Sequence, residues 1–322
     1  LAKIAFFSPV QEGILEVENL IRSQADGFHP DLRAALDLLL SSGGKRVRPA
    51  LTLLTGSMLG AADDRLVTLG AAIELLHTAS LVHDDLIDSS LLRRGTPTLN
   101  SKWSPGATVL TGDFIFARAA KLAAETNSVE VMKLFAQTLT IIVNGEITQL
   151  FSTGCHFNRE DYYERIYAKT ASLFETATTA AALISPVDEQ TVECIRRYGY
   201  EIGMAFQIID DILDFTADPM LLGKPVGSDL RQGLVTLPAI YYAESHPNDP
   251  DVQALIKGSC GGDESCTSRL VESIRTSSAI QAAHNEARGF VQRGLAGLKM
   301  LKDGVERQAM EELALYIVDR QQ

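Results

Sequence analysis

LVHDDLIDSS, residues 81–90, and FQIIDDILDF, residues 206–215, carry the same DDxxD core twice, far apart in one chain. A helix turns by about 100° per residue, so Asp84, Asp85 and Asp88 fall at relative angles of roughly 0°, 100° and 40°, on one side of the rod. Asp210, Asp211 and Asp214 repeat that spacing. Leu81, Val82, Leu86 and Ile87 flank the first triplet and Ile208, Ile209, Ile212 and Leu213 the second, which at helical spacing buries the opposite face. Carboxylates gathered on a partly buried face repel one another, and burial raises the cost of their charge. A cation is therefore expected among them.

A single acidic cluster near a helix end is commonly a solvated cap, whereas two copies with matched apolar flanks ask for a ligand. Mg²⁺ fits, because it is a hard ion bound through one or two carboxylates, with substrate phosphates completing its shell. Zinc does not: Cys155, Cys194, Cys260 and Cys266 form no CxxC pair and the six histidines no HExxH.

The 322 residues show no linker or break in composition, so a single domain spanning 1–322 is expected. Lys plus Arg number 29 against 41 Asp plus Glu, a net charge of −12, which speaks against nucleic acid or an anionic lipid surface as partner. Four cysteines without framework spacing suggest free thiols in a reducing, cytoplasmic setting. No stretch reaches the roughly 20 uninterrupted apolar residues of a membrane span, so no transmembrane segment is expected. The chain begins at Leu1, and a removed targeting peptide is compatible with that start.

The periodicity is helical almost throughout, and no period-two alternation bounded by hairpin turns predicts a sheet. Ser8-Pro9-Val10-Gln11 reads as a helix start, and DLRAALDLLL as a helix closed by Gly43-Gly44. Further helices are predicted over 49–59, 63–89, 105–125, 128–151, 160–185, 188–216, 229–245, 266–275, 278–299 and 303–320. Residues 246–265 read as loops.

Basic residues are sparse and suggestively placed. Lys45, Arg46 and Arg48 lie in SSGGKRVRPAL between a glycine-ended helix and a proline-started one, where exposed N–H groups favour an anion. His77 precedes Asp84 by seven residues and shares its helical face within roughly 20°. Arg93 and Arg94 follow the first cluster, and guanidinium groups suit a bidentate grip on phosphate. Lys169-Thr170, on an Ala/Thr-rich helix, and Lys224 follow long neutral stretches. Carboxylates for metals, scattered bases for phosphates and long apolar helices together suit a substrate with a diphosphate head and a hydrocarbon tail.

The set GGKRVRP, LVHDDLIDSSLLRRGTPT, GDF, AKT, YGYEIGMAFQIIDDILDF and GKPVGSDLRQGLVTLP, across roughly residues 40–240, resembles the trans-polyprenyl diphosphate synthases in kind and in order. The resemblance implies an all-α, single-domain helical bundle of the isoprenoid synthase type around a deep central cavity, usually a homodimer, with the two aspartate motifs facing each other across the mouth. It implies that about three Mg²⁺ ions per active site hold one diphosphate. Asp84, Asp88 and Asp210 would ligate them directly, with Asp85, Asp211 and Asp214 as ligands or supporting partners. Arg93, Lys169 and Lys224 would hold an allylic diphosphate such as farnesyl or geranylgeranyl diphosphate. Lys45, Arg48, His77 and Arg94 would hold isopentenyl diphosphate, and Thr170 and Gln207 would turn oxygen dipoles toward a developing cation. One departure stands out: where many relatives read G-K-x-T, this chain has Gly233-Leu234-Val235-Thr236, so a basic contact of the family is missing there.

The implied reaction is head-to-tail condensation, in which the allylic C–O bond breaks toward a carbocation, the isopentenyl double bond attacks and a proton leaves. Ala79 and Ser80, beside the first cluster, are small where relatives making short products carry a large aromatic. A long all-trans product, C30 or more, is therefore expected, with a distant residue such as Phe135 as floor. A side chain in the Phe114–Phe116 stretch that stops the tail sooner is the alternative, as in a farnesyl or geranylgeranyl synthase. Rival readings are a terpene cyclase, which usually carries an Asn/Ser/Glu triad in place of the second aspartate motif, a non-catalytic partner subunit, which tends to lose aspartates, and a purely structural helical protein.

Overall fold

The computed structural model describes residues 5–93, 95–151, 157–217, 225–257 and 264–320. The helical reading holds. After a 3₁₀ turn at Ala5–Val10 come α1 (Gln11–Ser23), α2 (Pro30–Ser41), α3 (Val47–Leu59), α4 (Asp63–Ile87), α5 (Pro105–Glu125), α6 (Val129–Phe151), α7 (Arg159–Ile166), α8 (Ser172–Leu183) and α9 (Glu189–Thr216). Then follow α10 (Ser228–Arg231), α11 (Leu237–Ser245), α12 (Pro250–Ile256), α13 (Glu264–Thr276), α14 (Ala279–Leu298) and α15 (Val305–Asp319).

Several boundaries depart from expectation for identifiable reasons. The helix predicted over 160–185 is interrupted by a π turn at Tyr167–Ala171 between α7 and α8. The one predicted over 229–245 is two, because Gly233 adopts φ +84° and ends the first of them. In the expected loop 246–265, Asp249 accepts hydrogen bonds from the N–H groups of Asp251 and Val252 and starts α12 at Pro250. No sheet was expected, yet a two-residue ribbon pairs β1 (Leu92–Arg93) with β2 (Thr96–Pro97), turning at Gly95 with φ +74°.

The chain divides into two compact units. The first takes Leu1–Leu139, Leu173–Gly199 and Gly297–Leu313; the second takes Thr140–Ser172, Tyr200–Ala296 and Ala314–Gln322. In the first unit α4 is central, packed against α1, α3 and most extensively α5. By length and hydropathy α4 is apolar enough to cross a membrane, but 67% of that stretch is buried inside the protein, as befits a core helix. Arg65 joins two helix ends in this unit by donating to the carbonyls of Thr126 and Ile184. In the second unit α7 is tied down by Arg159, which donates to Glu244 on α11 from Nε at 2.8 Å, and by Tyr163, whose hydroxyl donates to Glu286 on α14.

Cys194 is a free thiol that donates to the Gly297 carbonyl at 3.2 Å. Cys266 is disulfide-bonded, against the expectation of four free thiols.

Candidate active site

The two aspartate clusters are built to one plan within their separate units. In the first, at the end of α4, Asp85 is 5% exposed while Asp84 is half-buried and Asp88 exposed. The middle residue is rotated by about 100° from its neighbour, which carries it to the inward face. There it accepts a hydrogen bond from Arg93 Nε at 2.9 Å. In the second, on α9, Asp211 is 3% exposed while Asp210 and Asp214 are half-buried. Of the residues expected as ligands or supporting partners, Asp85 and Asp211, the middle member of each triplet, lie buried with a side-chain donor on the inward face.

Asp211 is the better enclosed. The Tyr162 hydroxyl donates to its Oδ2 at 2.7 Å and Gln207 Nε2 to its Oδ1 at 2.8 Å. Burial pushes its carboxyl up to about 8, helped by the charge of Asp229, while the donors Gln207 and Tyr162 and the charge of Arg165 act the other way. Burial and the neighbouring Asp211 together hold the Tyr162 phenol far above its ordinary range, so it remains a donor. Asp214 Oδ2 accepts from the backbone N–H of Asp229 at 3.2 Å. Asp210 carries an ion pair that the sequence did not announce. Arg320, 5% exposed in its side chain, donates to Asp210 and to the Phe206 carbonyl (2.9 Å), with its guanidinium 4.1 Å from the Phe206 ring centroid.

Lys169 and Thr170 lie in the π turn. Such turns insert a residue into the helical ladder and recur at functional sites. A Cβ on Gly145 of α6 would stand 2.5 Å from the Ala168 Cβ, so only glycine permits this approach of α6 to the turn. The approach brings Glu146 to Lys169, whose Nζ it pairs at 3.0 Å. The Thr170 hydroxyl, 6% exposed, donates to Gln207 Oε1 at 2.6 Å.

Of the three bases in the early basic loop, one is structural. Arg46 starts α3 in the left-handed region (φ 49°) and is held by Glu18 (2.8 Å), Glu74 (3.0 Å) and the Leu40 carbonyl, contacts that offset the strain of a non-glycine residue there. Lys45 and Arg48 are half-buried, and Arg48 lies over the Phe174 ring at 4.8 Å. His77 and Ser80 sit on α4, where Ser80 donates to the His77 carbonyl at 2.8 Å and Ala79 is fully buried. Phe135, 5% exposed, is on α6 three residues before Thr138, whose hydroxyl meets that of Thr176 at 2.5 Å. Arg94 and Lys224 lie outside the described residues. Missed in the sequence were Tyr162, Glu146 and Arg320; the phenol in DYYERIYAKT, eight residues before Thr170, was the available signal.

Among the described residues, no three His, Cys, Asp or Glu side chains gather closely enough to cage an ion alone. The donor set is nonetheless carboxylate oxygen at partly exposed positions, which suits Mg²⁺, an ion that keeps waters and phosphate oxygens in its shell.

All-α architecture and paired aspartate clusters place the chain in the isoprenoid synthase fold. Solved structures agree: a polyprenyl synthase from Caulobacter crescentus CB15, complexed with calcium and isoprenyl diphosphate, is 36% identical with a TM-score of 0.90, covering 98% of this chain and 97% of that one. A decaprenyl diphosphate synthase from Rhodobacter capsulatus is 31% identical, also at 0.90, covering 98% of each. An octaprenyl diphosphate synthase from Haemophilus influenzae is 35% identical over 88% of this chain and 86% of its own length. A sequence profile described as "Polyprenyl synthetase" matches residues 29–274, and the chain belongs to that family. It is a trans-prenyltransferase that condenses isoprenoid units, in a family for which Mg²⁺-dependent catalysis is typical.

Proposed function

We propose that the chain condenses an allylic diphosphate, such as farnesyl or geranylgeranyl diphosphate, with isopentenyl diphosphate to give an all-trans polyprenyl diphosphate of C30 or longer. The observation that carries the reading is the shared construction of the two clusters, each with its middle aspartate buried and anchored inside and its outer aspartates nearer the surface. Asp84, Asp88, Asp210 and Asp214 hold Mg²⁺, about three ions in all. Bound there, the metal neutralises charge growing on the departing diphosphate. Arg93 and Lys169 grip the allylic diphosphate, with Lys224 as a further base. For Lys169 this means exchanging Glu146 for phosphate, a trade between two anionic partners of one ammonium. Lys45, Arg48, His77 and Arg94 hold isopentenyl diphosphate.

Thr170 and Gln207 present oxygen dipoles to the allylic cation. No side-chain nucleophile is required, because the isopentenyl double bond attacks the cation, the proton lost passes to the released diphosphate, and the chain grows by one isoprenoid unit. The long product is supported by the small side chains at Ala79 and Ser80, and by relatives of this similarity named for octaprenyl and decaprenyl products. Phe135 is the floor in this reading. A homodimer is supported by a stripe on α6, where Val143, Ile147, Leu150 and Phe151 recur at helical spacing and remain exposed, Phe151 by 81%.

Incubation of the purified chain with farnesyl diphosphate, isopentenyl diphosphate and Mg²⁺ tests the whole reading. A ladder of prenyl diphosphates in the mass spectrum is expected. Cyclic hydrocarbon makes the protein a cyclase, and absence of product makes it a partner subunit. Ala79→Tyr is expected to shorten the product; unchanged length refutes the role given to that position.

A further inference from the structure

We infer that Tyr162 is a positioning residue for the condensation, acting through a buried relay that fixes which end of the Thr170 hydroxyl faces the reaction. The inference rests on the function proposed above and concerns a residue outside the set assigned there.

Four side chains of the second unit form one hydrogen-bonded chain. Tyr162 O–H donates to Asp211 Oδ2 (2.7 Å), Gln207 Nε2 donates to Asp211 Oδ1 (2.8 Å), and Thr170 O–H donates to Gln207 Oε1 (2.6 Å). Tyr162, Asp211 and Thr170 are 1%, 3% and 6% exposed and Gln207 is half-buried, so water is kept from the Tyr162–Asp211 bond and has restricted access to the other two. The chain spans α7, the π turn that carries Lys169 and Thr170, and α9, which carries the second aspartate cluster.

In the ionised form of Asp211, which the Tyr162 and Gln207 donors favour against burial, the polarity has a single solution: a carboxylate has no proton to give, so Asp211 only accepts. Gln207 must then turn its NH₂ toward Asp211, which removes the usual ambiguity of an amide's two ends. Its carbonyl oxygen is left facing Thr170, and the Thr170 hydroxyl must point its proton at that oxygen. With the proton committed inward, Thr170 offers any third group only lone pairs, which is the polarity a carbocation requires and the wrong one for a phosphate oxygen. Tyr162 is the fixed point of the arrangement: its ring is packed beneath the Arg165 guanidinium at 5.5 Å, and Arg165 is itself tied to the Val235 carbonyl. Without the phenol, Asp211 keeps the Gln207 bond but gains freedom to rotate, so Gln207 and Thr170 keep their direction and lose their fixed position.

The test compares Tyr162→Phe, Thr170→Val, Thr170→Ser and the double variant Tyr162→Phe/Thr170→Val. Tyr162→Phe is expected to lower kcat on the order of tenfold while leaving KM for both diphosphates within about twofold, the signature of an interaction used in the transition state. Thr170→Val lowers kcat further, and Thr170→Ser, which keeps the hydroxyl, restores most of it. In the double variant the two effects on kcat do not multiply, because Tyr162 works through Thr170. Multiplying kcat effects, or a Tyr162→Phe loss confined to KM, overturn the inference. A second readout does not depend on turnover: with Mg²⁺ and inorganic pyrophosphate present, the Gln207 side-chain NH₂ gives slowly exchanging NMR signals in the wild type that exchange at least several-fold faster in Tyr162→Phe and Thr170→Val. Unchanged exchange in both variants overturns the relay, and should Tyr162→Phe fail to fold, Thr170→Val alone decides. A wild type that makes no prenyl product refutes the proposed function, and the NMR comparison still decides the relay.

Discussion

Gly199→Ala is the substitution whose consequence the structure sets most tightly. Gly199 lies in α9 where it crosses α8 within the first unit. An added Cβ would stand 2.8 Å from both the Glu175 Cα and the Phe174 carbonyl oxygen, and 2.2 Å from Thr178 Oγ1. A threonine side chain can rotate away, but backbone cannot. The helices must part by about 0.6 Å, the difference between 2.8 Å and the 3.4 Å at which ordinary contact begins. Overpacking of this kind costs about 1–3 kcal/mol. Rotating Thr178 also breaks its hydrogen bonds to the Phe174, Glu175 and Ile195 carbonyls, about 1 kcal/mol more. Alanine's better helix propensity returns about 1 kcal/mol. The net expectation is a loss of about 2 kcal/mol, a fall in Tm on the order of 3–6 °C for a chain of this size. Because Arg48 lies over Phe174 at 4.8 Å, KM for isopentenyl diphosphate should rise as well. Gly289→Ala is the control: the nearest atom is the far end of Arg293 at 3.6 Å, so it should gain roughly 0.5–1 kcal/mol from helix propensity alone. Urea and thermal melts of both variants check the pair, and a Gly199→Ala protein as stable as the wild type refutes the close-packing argument.

Asp84→Asn and Asp88→Asn should each lower kcat by about 10²-fold or more and raise the Mg²⁺ concentration for half-maximal rate; a metal titration of activity checks this. Arg46→Met removes the partner of Glu18 and of nearly buried Glu74, and should cost about 3–5 kcal/mol in a urea melt. Glu146→Gln releases Lys169 from its 3.0 Å partner. Inhibition by inorganic pyrophosphate should then strengthen a few-fold, because an exposed pair contributes on the order of 1 kcal/mol or less; Lys169→Met should weaken it.

The helices were legible because their apolar period is long and regular. Termini with chemical markers were placed well, as at α5, where Ser104 caps the first turn before Pro105. What escaped was set by contacts distant in sequence. The π turn exists where Gly145 lets α6 approach Ala168, and nothing in AKTASLF by itself announces a widened turn. The clusters were found from spacing alone, but spacing does not divide the labour within them: Asp85 and Asp211 look like their neighbours in sequence, the family resemblance alone set them apart as ligands or supporting partners, and the structure adds that Arg93 and Tyr162 meet them on the inward side. Arg46 shows the converse, a basic residue in a basic loop whose side chain serves the interior because Glu18 and Glu74 meet it there.

The widened turn at Tyr167–Ala171 also governs how sequence length can change nearby. A π segment is an α-helix with one residue inserted, and removing that residue restores an unbroken helix. The deletion would swing everything upstream by about 100°, carrying the phenol of Tyr162 and the guanidinium of Arg159 off their partners while leaving Lys169 and Thr170 in place. Descendants of this gene should therefore tolerate substitutions across the segment far better than any shift in its reading register, and a single-codon loss there should silence the protein more completely than most point changes around it.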